Sequence, residues 1–370
     1  MKKVLSVLLV MAMLVALVAA GCGEKEQPSG QGNAQGEQKQ EYKAGFIYIG
    51  PVGDGGYTDA HDNGRKYMEE KLGIPTIIKE SVPESQEVEK VISDMIDQGC
   101  NIIFATSFGY MDYVERAAQK YPDVKFFHCS GYKTAENMTN YFGKIEEARY
   151  LTGIVAGMKT KTNKIGYVAA FGIPEVVRGL NAFALGVQSV NPKATVEVVW
   201  TQTWYDPATE KEAAKVLLDK GCDVIAQHQD TAGPQQAAEE RGVWSVGYNV
   251  DMYKVAPKAN MTSAIWNWGI YYVKAVQDVM DGKFSSEPYL GDMKEGLVDI
   301  APLTENAPEG AKEKVEEAKA KIISGELQIF AGPLKDNTGK LRVPEGEVMS
   351  LEDQYSNFDW LVEGVIGTVQ

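Results

Sequence analysis

The chain reads as an α/β protein built from two similar lobes joined by a hinge. Strand-like and helix-like segments alternate from Lys43 onward, and one nine-residue segment recurs in the second half. Ala44 to Gly50 (AGFIYIG) is a short apolar run ending in glycine, and Thr58 to Leu72 has a helical pattern. Thr76 to Lys79 is a weaker strand. Ser85 to Gln98 sets Val88, Val91, Ile92, Met95 and Ile96 on one helical face. Asn101 to Thr106 is a buried strand, Tyr110 to Lys120 a helix and Val124 to Cys129 a strand. The plan then restarts: strand Lys164 to Ala170, helix Glu175 to Val190, strand Thr195 to Thr201, helix Ala208 to Lys220. Strands separated by helices predict parallel sheets with right-handed crossovers. The repeated segment runs Met95-Ile96-Asp97-Gln98-Gly99-Cys100-Asn101-Ile102-Ile103 and Leu217-Leu218-Asp219-Lys220-Gly221-Cys222-Asp223-Val224-Ile225. Each copy predicts a helix end with a glycine stop that drops directly into a strand.

Residues 1–22 predict an export signal. Lys2 and Lys3 precede an apolar run from Val4 to Val18, too short and too sharply bounded for a membrane span. The ending Ala19-Ala20-Gly21-Cys22 resembles a bacterial lipobox, which predicts a lipidated Cys22 and a mature protein held outside the cytoplasmic membrane by acyl chains. Residues 23–42 lack Leu, Ile, Val and Phe and read as a solvated tether reaching about 25 Å. The remaining residues suit two domains, predicted as 43–158 plus about 263–300, and 159–262 plus about 301–370.

The formal charge of -14, with no basic block, argues against a nucleic-acid partner. Cys100, Cys129 and Cys222 form no CxxC pair and read as buried free thiols, two of them in equivalent corners of the two lobes. His61, His128 and His228 have no zinc-ligand spacing, so no metal and no cofactor is expected.

In open α/β sheets a ligand lies beyond the carboxyl ends of the strands. There the chain places Gly50-Pro51-Val52-Gly53-Asp54-Gly55-Gly56-Tyr57-Thr58, which has neither the Gly-Lys-Ser/Thr of a phosphate loop nor GxGxxG spacing. It predicts a mobile backbone presenting Asp54 and Tyr57 at a helix start. Further strand ends carry Ser107-Phe108-Gly109-Tyr110, Gln227-His228-Gln229-Asp230-Thr231, Gly247-Tyr248-Asn249-Val250-Asp251, and Trp266 and Trp268 beside hydroxyls and an amide. Aromatic rings with carboxylates and amides suit a flat, hydrogen-bonding ligand such as a purine. The competing reading makes the same aromatics core residues.

Several segments resemble the basic membrane protein family of ABC-transporter substrate-binding lipoproteins, the purine-nucleoside-receptor-like group. They include IGPVGDGGYTDAHDNGRK, KIEEARYLTGIVAG, IPEVVRGLNAFALGVQSVNP and VGYNVDM, and the resemblance covers the chain beyond the tether. It implies a type I periplasmic-binding-protein fold of the ribose-binding kind, with two Rossmann-like lobes and three crossovers. It also implies closure on a purine base or nucleoside, with an ABC permease as partner and a monomeric state. By the same resemblance Tyr57 stands at a stacking phenylalanine, Asp251 at an aspartate that holds ribose, and Phe108 at a second aromatic. Thr58 replaces an asparagine and Trp266 a lysine, and the loss of that lysine favours a smaller ligand, so a free base such as adenine is expected as readily as a nucleoside. Glu146, Tyr150, Arg178 and Asn181 match positions expected to hold the lobes together. The expected ligand set is therefore Asp54, Tyr57, Thr58, Phe108, Asp230, Asn249, Asp251 and Trp266. The alternatives are a receptor for a sugar or other small solute, a structural surface lipoprotein, and a nucleosidase using Asp54 or Asp230 as base. No nucleophile–base pair supports an enzyme.

Overall fold

A computed structural model describes residues 41–370, so the predicted signal segment, Cys22 and nearly all of the tether lie outside the described residues. The first half runs β1 (Ala44–Ile47), α1 (Tyr57–Leu72), β2 (Thr76–Lys79), α2 (Glu87–Asp97), β3 (Ile102–Ala105), α3 (Met111–Lys120), β4 (Lys125–Cys129) and β5 (Met138–Gly143). After α4 (Ile145–Lys159) come β6 (Lys164–Ala169), α5 (Pro174–Val190), β7 (Thr195–Trp200), α6 (Pro207–Asp219), β8 (Val224–His228), α7 (Gly233–Arg241), β9 (Trp244–Asn249) and β10 (Asn260–Trp266). The remainder comprises α8 (Trp268–Met280), β11 (Tyr289–Gly291), β12 (Val298–Ile300), α9 (Ala311–Ser324), β13 (Leu334–Lys335), β14 (Leu341–Val343), α10 (Leu351–Ser356) and β15 (Val365–Ile366).

Two main sheets result, ordered β11-β5-β4-β3-β1-β2 and β12-β10-β9-β8-β6-β7-β15. Every pairing in them is parallel except β12 against β10. The chain crosses between the sheets three times, after β5, after β10 and after β11. By sheet membership it therefore passes over at residues 143–145, 266–268 and 291–298. Periodicity along the sequence marks where a helix runs and not which sheet it covers. In particular α4 packs on α5 and β10 rather than on the first sheet. Small residues make that packing tight: a Cβ at Gly153 or Gly186 would strike the Phe183 or Tyr150 carbonyl, and one at Gly157 would lie 2.7 Å from the Val187 carbonyl oxygen.

The recurring segment builds the same corner twice. Gly99 (φ 91°) and Gly221 (φ 89°) stop their helices in left-handed backbone. The next residue turns back in both copies: the Cys100 N–H donates to the Met95 carbonyl (3.0 Å) and the Cys222 N–H to the Leu217 carbonyl (3.2 Å). Both thiols are free and buried, as expected. The loop-facing neighbour then reaches the first strand of its own lobe, Asn101 N–H to Lys43 O and Asp223 N–H to Lys164 O, each at 3.1 Å.

The four residues expected to hold the lobes sit in packing roles. Arg178 and Glu146 form a buried pair at 3.1 Å. The Tyr355 ring lies 3.6 Å from the Arg178 guanidinium and its hydroxyl donates to Glu146 at 2.8 Å. Asn181 donates to Trp360 O and accepts from Val362 N–H, fastening the C-terminal segment to α5. Tyr150 contributes the carbonyl that demands Gly186. No helix among the described residues is long and apolar enough to cross a membrane.

Because both glycine stops occupy left-handed backbone, Gly99→Ala and Gly221→Ala should each cost about 1–2 kcal/mol, and the two costs should add, being in separate lobes. Urea unfolding of both single variants and the double variant checks this.

Candidate functional site

The loop between β1 and α1 is pinned by its own carboxylates. Asp54 accepts from the N–H groups of Gly56 (2.8 Å), Thr58 (2.7 Å) and Asp59 (3.1 Å), so its side chain satisfies donors that a helix start leaves open. Asp59 in turn accepts from Gly53 and Gly55 at 2.7 and 2.9 Å. The backbone expected to be mobile is therefore a hydrogen-bonded cap. Burial pushes the Asp54 carboxyl up to about 6 against those three donors. Thr58 is buried beneath the loop, close against Gly50.

This cap meets the opposite lobe backbone to backbone. Tyr57 N–H donates to the Asp230 carbonyl at 3.4 Å, and a Cβ on Gly56 would collide with that same oxygen. Between the lobes lies a tight cavity of about 20 Å³. Its walls from the first lobe are Ile49, Tyr57, Ser107 and Ser130; those from the second are Glu175, Trp204, His228, Asp230 and Tyr248. All of the first-lobe residues follow or flank strand ends, as the switch-point rule requires.

Each side chain is held. Tyr57 opens α1, donates its hydroxyl to Thr106 O at 2.6 Å and rests edge-on to His61 at 4.5 Å. Ser107 donates to Glu84 at 2.6 Å. Tyr248 lies under the Arg149 guanidinium at 3.6 Å, and Arg149 itself donates to Gln227 O. His228 stands 3.5 Å from the Glu175 carboxylate; burial lowers its pKa to about 4, so the ring is neutral near pH 7. Asp230 is buried, and no side-chain or backbone donor among the described residues reaches its carboxyl. Desolvation, then the nearby carboxylates Glu210, Asp54, Glu175 and Glu84, raise its pKa well above the ordinary value.

Of the expected ligand set, Tyr57 and Asp230 line this cavity, with Asp54 and Thr58 in the cap that carries Tyr57. Phe108 lines an adjoining chamber. Asn249 is buried in left-handed backbone (φ 72°), donating to Gln229 O at 3.2 Å and accepting from Trp266 Nε1 at 3.1 Å. Trp266 stacks on Trp268 at 4.4 Å and faces a separate groove. Asp251 is exposed and accepts from Tyr253 N–H at 3.0 Å. The polar run after β8 begins two residues later than expected, because Gln227 and His228 are the strand's last two residues. Gln227 shapes the loop by donating to Thr231 O at 2.6 Å.

Ser130, Glu175 and Trp204 also reach the cavity, though none stood in the expected set. Ser130 did carry a signal, a serine-glycine pair directly after a strand, and its φ of 69° turns the backbone into the cleft. Glu175, in the first turn of a helix, reads from sequence as an ordinary N-terminal carboxylate.

Comparison with known proteins bears directly on this geometry. Residues 41–331 match the family described as ABC transporter substrate-binding protein PnrA-like. The chain belongs to this family. It is 44% identical over 288 residues to a purine-binding protein of Brucella abortus (strain 2308), covering 77% of this chain and 81% of that protein. It is 40% identical over 294 residues to a Haloferax volcanii protein named "Putative ABC transporter glucose-binding protein TsgA13", covering 79% of this chain and 74% of that one. Among solved structures, an ABC transporter solute-binding protein of Aeropyrum pernix K1 superposes with a TM-score of 0.68 at 21% identity, covering 87% of this chain and 100% of that one. These likenesses establish a PnrA-like substrate-binding protein with the two-lobed fold of ABC solute receptors.

The raised Asp54 pKa fixes a sign. A carboxyl that binds its proton more tightly folded than unfolded makes the fold less stable as pH rises from about 4 to about 6. Relative to Asp54→Asn, wild-type stability should therefore fall by about 2–3 kcal/mol across that window and level off above it. Urea midpoints at several pH values would check this; a flat difference would contradict it.

Proposed function

We propose that this substrate-binding protein takes a purine, as the free base, into the interlobe cavity and delivers it to an ABC permease. In this reading Cys22 carries the acyl anchor and residues 23–42 the tether, placing the receptor on the outer face of the cytoplasmic membrane. The observation that carries the ligand class is Asp230, a buried carboxyl facing the cavity without a protein donor, together with the rings of Tyr57 and Trp204 from opposite lobes. A protonated carboxyl presents one donor and one acceptor side by side. That pair complements the amidine edge of adenine, an exocyclic N–H beside a ring nitrogen. A base asks less widening of this tight cavity than a nucleoside would, and the purine-binding relative supports the same class.

Binding energy then favours the closed arrangement. The ligand spans residues of both lobes, so it stabilises the state in which they meet, and the permease would read that state. The glucose-named relative, at 40% identity, favours a second reading in which the stacked rings hold a pyranose.

Native mass spectrometry of the purified protein, before and after denaturation, should release a purine base. In calorimetry adenine should bind, glucose should not compete, and Asp230→Ala should weaken adenine by about 10- to 100-fold. Binding of glucose but not adenine would select the second reading. Gly56→Ala should fold normally by circular dichroism yet fail to contract in X-ray scattering on adding adenine, because its methyl group would strike the Asp230 carbonyl. Contraction equal to wild type would show that the glycine is not needed for closure. Cys22→Ser should abolish incorporation of labelled palmitate and release the protein from membranes; retention on them would remove the anchor from the proposal.

A further inference from the structure

Beside this inner cavity lies a second chamber of about 250 Å³. The two share a wall, since Ser130 and Glu175 line both. Ser130 is small and turned by its positive φ, so the partition on that side is thin. Glu175 sets a carboxylate at the same partition, reached within the described residues by His228 at 3.5 Å.

The outer chamber differs in chemistry from the inner one. Five rings line it: Phe108, Tyr132, Phe142 and Tyr289 from the first lobe, and Tyr355 from the C-terminal segment. Its cationic member, Arg178, already faces Glu146 at 3.1 Å and lies against the Tyr355 ring. Tyr132 is 70% exposed, a large ring left at the rim with little to pack on. A sugar would need several hydrogen-bonding partners for its hydroxyls, whereas aromatic walls favour a flat apolar group.

We propose that this chamber is a subsite for an apolar substituent on the exocyclic nitrogen of the base. The receptor then takes N-substituted aminopurines as well as the bare base. A secondary exocyclic amine suits the partition: its one N–H stays on Asp230 and its substituent passes Ser130 into the aromatic chamber. This inference rests on the purine-base reading above.

Calorimetry of the full-length protein with adenine, N6-benzyladenine and adenosine tests it. N6-benzyladenine should bind at least about tenfold more tightly than adenine. Tyr132→Ala and Phe108→Ala should each cut that preference about three- to tenfold, read as the ratio of the two affinities in the same variant. Adenine binding with tenfold weaker N6-benzyladenine binding, or a preference that neither variant moves, would overturn the subsite while leaving the base reading intact. Adenosine binding as tightly as N6-benzyladenine would overturn its apolar character. Failure of all three ligands would instead remove the purine reading itself.

Discussion

The closed cleft depends on two lobes touching through backbone. Gly56 has no side chain at the point where the Asp230 carbonyl approaches, and the adjacent Tyr57 N–H is free to donate to that oxygen. Any Cβ would hold the lobes apart there. The contact places Tyr57 at the cavity wall and brings Asp230 out of water at the same time. Enclosure, stacking and the raised carboxyl pKa are thus consequences of one close approach.

That approach gathers several carboxylates around one buried acid. Asp54, Glu84, Glu175 and Glu210 all raise the pKa of Asp230, and Glu210 is itself pushed up to about 7 by burial. Glu210 is stabilised by donors from Thr231 and Asp206, and Asp54 by the N–H groups of the α1 cap. Asp230 faces the cavity with no hydrogen bond donated to its carboxyl. Its energy falls if it keeps a proton or if a ligand supplies donors, and both routes link recognition to the closed state. The neighbouring histidine reinforces this, because burial keeps His228 neutral and leaves Glu175 without a full positive partner on that side.

Much of the fold was legible because its signals are local. The nine-residue repeat predicted two equivalent helix stops, and both form with the same hydrogen bonds about Gly99 and Gly221. Helix and strand spans came within a few residues, since apolar periodicity reports directly on which face is buried. The site was legible only in outline. Strand-end loops were the right places to look, and Tyr57 and Asp230 do face one another across the cleft. Asn249, Asp251 and Trp266 occupy equally suggestive strand ends, yet Trp266 spends its N–H on Asn249 and Asp251 turns to solvent. Spacing along the chain cannot separate a polar residue that meets a ligand from one that closes a neighbouring turn.

The sequence by itself determined the α/β class, the doubling of one plan and the family, because periodicity, glycine stops and motif order are written along the chain. Tertiary structure decided which helix covers which sheet, since α4 joins the second lobe through glycines whose meaning is a neighbour's carbonyl. It also decided which residues form the cavity. Ser130, Glu175 and Trp204 lie far apart in sequence, and only the meeting of two lobes brings their side chains to one wall.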